Sequence, residues 1–201
     1  PFFHTTLLGW ILERLQNLPW TIIIATTNKY QDKEIANFCH KNGGQCFRGE
    51  EQDVLDRFYR CAEKYKLAHI VRLTGDNPFP DTEVIKKLVE LHLDTTASYT
   101  HSFGELPIGV GSEIFSFESL AHSWNDGNQE NHREHCNEFI LENPDKFQIE
   151  KLCVPRDHHK PELSLTIDTE EDYKKILGYF KSPPNLSVTT KELITICSSS
   201  A

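Results

Sequence analysis

Apolar and polar positions alternate along this chain with two different periods. Leu7, Leu8, Ile11, Leu12 and Leu15 recur at helical spacing. Pro19 then breaks that pattern, and TIIIATT at 21–27 is an apolar run of strand length that is expected to be buried. Ile35, Ala36, Phe38 and Cys39 mark a second helix that stops at Asn42-Gly43-Gly44, and QCFRG at 45–49 follows as a short strand. Val54, Leu55, Phe58, Tyr59 and Ala62 set a third helix, and HIVRLTG at 69–75 is the next strand. Val84, Ile85, Leu88 and Val89 then form a helix capped by Asp81 or Thr82. This order predicts an α/β fold in which a mostly parallel sheet is covered by helices on both faces.

Beyond about residue 95 the strands shorten. ASYTH and GSEIFSF precede helices near 117–124 and 131–142, FQIEKLCV and LSLTI are the last strands, and Tyr173, Ile176, Leu177 and Phe180 mark a closing helix. No internal repeat interrupts residues 1–180, which read as one domain. Residues 181–201 hold SPPN, a weak helix near 190–197 and SSSA, and read as a peripheral tail.

One stretch breaks the apolar pattern with a charge. In VRLTGDNPFP, at 71–80, Val71 and Leu73 share one face of a strand while Arg72 and Thr74 share the other, and the polar row continues to Asp76. Asp76 therefore stands at the carboxyl end of a strand on a turn shaped by Gly75 and Pro78, where open α/β sheets bind ligands. A charge in a covered strand needs a partner, so Arg72 calls for a carboxylate or a bound phosphate. The bland reading is that Arg72 and Asp76 only satisfy neighbouring groups, with Asp76 closing an Asx turn. A second carboxylate has the same design: LSLTIDTEEDY leads to Asp168, and Thr169 with Asp172 makes an acidic variant of the capping box, leaving Asp168 at the strand end. Two such groups could share a Mg²⁺, which takes one or two carboxylates completed by water and phosphate oxygens. The plainer reading is that Asp168 only complements the helix dipole.

Composition narrows the partners. A formal charge of -9 argues against nucleic acid, which requires a basic surface, but allows an anionic small molecule held by local arginines or a metal. The 6 cysteines form no CxxC pair, so reduced thiols in a cytoplasmic protein are the plain reading. No apolar run has membrane length and no signal peptide is recognisable.

Four stretches in order, FRGEEQDVLDRFYRCAEKY, VRLTGDNPF, REHCNEFI and LTIDTEEDY, resemble the cytidylyltransferases of the spore coat polysaccharide biosynthesis type, relatives of the acylneuraminate and Kdo cytidylyltransferases. LPIGVGSEIFSFESL between them is similar to the family as well. The resemblance implies a Rossmann-like nucleotidyltransferase in which the anomeric hydroxyl of an acidic sugar attacks the α-phosphorus of CTP and pyrophosphate leaves. It implies that Asp76 and Asp168 hold Mg²⁺ with Arg72 beside the nucleotide, and that Arg48, Gly49, Asp56 and Arg57 line the base and ribose, with Gly75 shaping the turn. Arg133, Glu134 and His135 match the family's REH and would contact the sugar or a second subunit of a homodimer; Glu113 is a further sugar candidate.

Each assignment has a plainer alternative. Asp53, Asp56, Arg57 and Arg60 fit a solvated helix face, Glu113 a strand-edge carboxylate in water, and His132 with His135 a hydrogen-bonded helix surface, since a zinc pair would lack its third ligand. The family begins with a strand and a Gly-Ser, Arg, Pro-Gly-Lys loop for the triphosphate, and no stretch here supplies that cradle. The expectation is therefore a sheet without its first strand and a 201-residue chain unable to transfer CMP by itself. Ile108, where the family often has an acidic residue, leaves the sugar open. A non-catalytic sugar-nucleotide or protein-binding module and a related glycosyltransferase are the competing functions.

Overall fold

The computed structural model describes residues 1–199. Helix α1 (Leu7–Leu15) is capped by Thr6, whose hydroxyl accepts from Gly9 N at 3.0 Å. Strand β1 (Ile23–Thr27), helix α2 (Lys33–Lys41) and strand β2 (Gln45–Gly49) follow, and β1 and β2 pair in parallel. Helix α3 (Val54–Tyr65), capped by Asp53, leads to β3 (His69–Arg72). Helix α4 (Thr82–Thr95) and strands β4 (Tyr99–His101) and β5 (Glu113–Ser116) complete the central part. Helices α5 (Phe117–Asp126), α6 (Glu130–Glu134) and α7 (Glu138–Glu142), strand β6 (Ile149–Lys151) and helices α8 (Glu170–Gly178) and α9 (Thr190–Ser199) close the chain.

Alternation along the strands sorts the core into layers. Ile70, Tyr99 and Phe115 point to one face, against Leu55 and Ala62 of α3, Leu120 of α5 and Phe139 and Ile140 of α7. Val71 and Leu73 pack with Ile11 and Leu15 of α1 and Ile85 of α4. The α/β class and the helices on both faces are as the pattern predicts. The sheet is more mixed than expected: in the order β3-β5-β4-β6, strand β5 runs antiparallel to both neighbours and only β4 and β6 are parallel. The short loop from β4 back to β5, with no helix to carry the chain across, imposes that reversal.

Four details differ from the sequence reading. TIIIATT is only half-buried apart from Thr26, because β1 belongs to a two-stranded sheet. LSLTI forms no strand and pairs through one bridge, Ile108 to Ser164. The helix expected over 131–142 breaks at extended His135, and Cys136 drops into the core. Finally, the segment after residue 180 is not peripheral: Val188, Leu193 and Cys197 are buried with Trp10, Phe79 and Ile176. Those apolar residues are too few to announce a core face in sequence, yet they meet an aromatic cluster contributed from far away in the chain.

Candidate active site

The partner of Arg72 is a carboxylate. Arg72 and Glu113 lie directly opposite each other across β3 and β5, and Nη1 donates to Glu113 Oε1 at 2.5 Å. Glu113 is 1% exposed, so it is neither a solvated edge residue nor open on all sides to a ligand. Its second oxygen accepts from the Tyr99 hydroxyl at 2.6 Å, and the Tyr99 oxygen accepts from Asn137 at 3.4 Å. Burial works against the Arg72 charge, but Glu113 more than offsets it and holds the guanidinium protonated. Burial and the Glu113 carboxylate push the Tyr99 phenol up, and burial pushes the Cys136 thiol beneath the arginine up to about 12. Tyr99 and Cys136 therefore stay neutral.

The pair forms the inner end of a cleft. A cavity of about 130 Å³ is lined by Arg72, Glu113, Thr74 and Asn77. It shares Asn77, Phe103, Gly109 and Gly111 with a larger cavity of about 500 Å³. Asp76 and Asp168 both line that larger cavity. Their segments are tied by a backbone hydrogen bond from Ile167 N to Asp76 O at 2.9 Å. One Asp76 oxygen accepts from the Thr74 hydroxyl, while the Asp168 carboxylate accepts no hydrogen bond among the described residues. Thr169 caps α8 with Asp172 as the sequence indicates, which leaves Asp168 at the cavity.

Thr166 and Asn77 add polar oxygens beside the two carboxylates, whereas Phe103, Leu106, Pro107, Ile108 and Pro161 form an apolar wall. Among the described residues, Asp76 and Asp168 are the only charged ones that line this larger cavity. The loop 103–111 is held at its neck by Ser102 and Ser112, whose backbones bond at 3.0 Å, and it is zipped to Leu163 and Leu165 through Ile108. Gly109 is required there. Its φ is +89°, and a Cβ would stand 2.9 Å from both Asn77 Oδ1 and Thr166 N.

Other predicted site residues lie outside this cleft. Arg48 is exposed and donates to the carbonyls of Thr27, at 2.9 Å, and Lys29, at 2.6 Å. Gly49 packs under Arg57, whose guanidinium braces the Glu50 and Glu51 carbonyls, and burial lowers the Arg57 pKa. Asp56 accepts from Trp124 Nε1 at 2.7 Å. Arg133 is bound to Asp53 through Nε and Nη2, at 2.8 and 2.5 Å, and to the Trp124 carbonyl. Glu134 and His135 are exposed and line neither cavity. Gly75 lies exposed at the start of the Asp76 turn with open space around it. Asn77, Phe103, Gly109 and Thr166 were not singled out from the sequence; only the GVG turn and the Thr two positions before Asp168 carry any local signal.

A family model for cytidylyltransferases matches residues 1–187. The chain belongs to the cytidylyltransferase family. A Methanocaldococcus jannaschii protein, MJ1063, is 38% identical over 186 residues, covering 92% of this chain and 76% of its own length. The spore coat polysaccharide biosynthesis protein SpsF of Bacillus subtilis is 35% identical over 177 residues, covering 87% and 73%. A solved cytidylyltransferase from Leptospira borgpetersenii superposes with a TM-score of 0.91 at 28% identity, over 99% of this chain and 85% of that one. The resemblance read from four motifs is thus a family membership, and the family is one of nucleotidyltransferases rather than glycosyltransferases. Among the described residues no helix is long and apolar enough to cross a membrane.

Proposed function

We propose that this cytidylyltransferase serves the transfer of CMP from CTP to an acidic sugar destined for a surface polysaccharide, with Asp76 and Asp168 as the ligands of a Mg²⁺ ion, and the assay below also tests the expectation that the 201 residues do not turn over without a triphosphate cradle. The observation that carries the reading is that these two carboxylates, 92 positions apart in number and on different turns, line one cavity beside the Arg72 and Glu113 pair. Their donor set fits the ion. Both are hard oxygen ligands, Asn77 and Thr166 add oxygens to the same wall, and Mg²⁺ completes its shell with water and phosphate. Among the described residues no group of three or more His, Cys, Asp or Glu is placed to hold a metal. When bound, the ion would neutralise the triphosphate and the acceptor's carboxylate, for which the described residues supply no cation in the larger cavity.

The chain's own groups do the rest by position. The anomeric hydroxyl must stand in line with the α-phosphorus and the departing pyrophosphate oxygen, and such a displacement asks mainly for orientation and charge. Arg72, kept cationic by Glu113, presents fixed positive charge at the inner end of the cleft. The wall of Phe103, Ile108 and Pro161 excludes water from the acceptor side and seats the sugar's less polar face. Ile108, which is 55% exposed at that rim, takes the place of an acidic family residue and shapes which sugar enters. The same reading sets the protein in the cytoplasm, where CTP is available. The test is pyrophosphate release from CTP in the presence of Mg²⁺ and an acidic sugar such as Kdo or N-acetylneuraminic acid, with Asp168→Asn as control. Release that needs the sugar and Mg²⁺ and fails in the variant supports the reading; release indifferent to the substitution removes Asp168 from the site.

A further inference from the structure

The turn that carries Asp76 is gripped from outside the cleft at every second carbonyl. Asp76 O accepts from Ile167 N at 2.9 Å, Pro78 O from Trp10 Nε1 at 2.9 Å, and Pro80 O from Arg14 Nη2 at 2.9 Å. Pro78 and Pro80 have no N–H to compete and restrict their own φ, so the turn has little freedom once its carbonyls are held. Phe79 between them is 0% exposed. The turn ends on Asp81, which is saturated: Oδ1 caps α4 through Glu83 N and Val84 N, and Oδ2 accepts from both N, at 2.8 Å, and Oγ1, at 2.6 Å, of Thr190.

Arg14 completes the ring. Its guanidinium, 4% exposed, also donates to Leu186 O at 2.7 Å and Val188 O at 3.0 Å. One buried charge therefore joins the turn to the C-terminal segment, with no carboxylate in direct contact. Asp81 acts on it only at longer range. A buried guanidinium is a costly way to gain stability, since apolar side chains of similar volume often do as well or better. What it provides is three directed bonds to three fixed carbonyls. Trp10, Arg14, Asp81 and Thr190 line neither cavity of the cleft.

We propose that the C-terminal segment from Leu186 through α9 is a brace that positions the metal-binding turn: Arg14 and Thr190, acting through Pro80 and Asp81, set where Asp76 presents its carboxylate. The proposal rests on the reading that Asp76 binds Mg²⁺. Both are positioning residues that touch neither nucleotide nor metal. Only four residues separate Asp76 from Asp81, two of them prolines, so a shift at the brace is passed on to the ligand rather than absorbed. Displacement of a reacting group by about 1 Å can cost on the order of a hundredfold in rate.

The experiment measures Mn²⁺ binding to the full chain with CTP present, by electron paramagnetic resonance of the free ion, for wild type, Asp76→Asn, Thr190→Val, Thr190→Ser and Ile140→Ala. The last variant opens a cavity beneath α7, in a cluster that holds no residue of the turn or of α9, and lowers stability away from the brace. Asp76→Asn is expected to lose Mn²⁺ binding. Thr190→Val should weaken it about tenfold, as a partial displacement, Thr190→Ser should restore it, and Ile140→Ala should leave it unchanged despite a lower melting temperature. Arg14→Lys keeps the charge but cannot span three carbonyls, and it replaces Thr190→Val should that variant not fold. If Asp76→Asn binds Mn²⁺ as wild type does, the metal reading fails and the brace falls with it. If Asp76→Asn loses the ion while Thr190→Val and Arg14→Lys keep it, or if Ile140→Ala loses as much as they do, the brace alone is overturned.

Discussion

The start of α3 and the cleft beyond β3 are built from the same residue types, and they use them in opposite ways. Around α3, Asp53 caps the helix and is gripped by Arg133, Asp56 takes the Trp124 indole N–H, and Arg57 braces two loop carbonyls. Each charge there is answered by protein. In the cleft, Arg72 is answered by Glu113, but Asp76 has one local hydroxyl and Asp168 has no hydrogen-bond donor among the described residues. Both of these carboxylates face space. Unanswered carboxylates beside a cavity mark a site; the same residues fully paired mark architecture.

Four substitutions or conditions break or sharpen that contrast. The largest effect is expected at Asp76→Asn, which keeps the turn's shape and should lower CMP transfer about a thousandfold or more, comparable with losing a major charge-stabilising group; circular dichroism and melting temperature should stay near wild type. Arg72→Met should act on the fold instead. It strands Glu113, which is 1% exposed, and should cost about 3–5 kcal/mol in denaturant titration, whereas Arg72→Met with Glu113→Leu should recover part of that loss. Recovery of stability without recovery of activity would separate the two roles of Arg72.

A third effect depends on pH. His92 is buried, bonds to His69 at 3.1 Å and to Thr100 at 2.9 Å, and burial followed by the neighbouring His69 lowers its pKa from 6.5 to about 4. The unfolded chain takes up a proton near pH 6.5 that the folded chain refuses until about pH 4. This contribution to stability is therefore complete above pH 6.5 and is lost as the pH falls from 6.5 toward 4. Melting temperatures across that window should fall less steeply in His92→Gln. The smallest effect is expected at Asp53→Asn, which weakens a partly exposed pair with Arg133 and should cost about 1 kcal/mol or less with unchanged turnover. A large loss of sugar affinity in that variant would bring Arg133 back into the site.

Much of this was legible along the chain. The apolar periods locate α1, α3, α4 and β3, because each buries a continuous stripe. The Thr169 and Asp172 box marks the start of α8 and so isolates Asp168. Arg72 announced its need for a partner, since a charge on a covered strand cannot stand alone. Other parts were hidden. Nothing local tells that Glu113 is that partner, that residues 103–111 fold over the turn, or that Val188, Leu193 and Cys197 enter the core. The motif residues Arg133, Glu134 and His135 are read toward a sugar or a subunit contact, and nothing local tells that Arg133 also pairs with Asp53.

By itself the sequence determined the α/β class and the two turns that end in a carboxylate, because periodicity, capping and turn chemistry act over a few residues, while four motifs carried the resemblance to the family. Only the tertiary structure decided which charges are paired inside the protein and which are left facing the cleft. That choice depends on groups far apart in the chain, as with Arg72 and Glu113 across two strands or Asp81 and Thr190 between two helices, and a sequence does not record which distant groups its folding brings within a hydrogen bond.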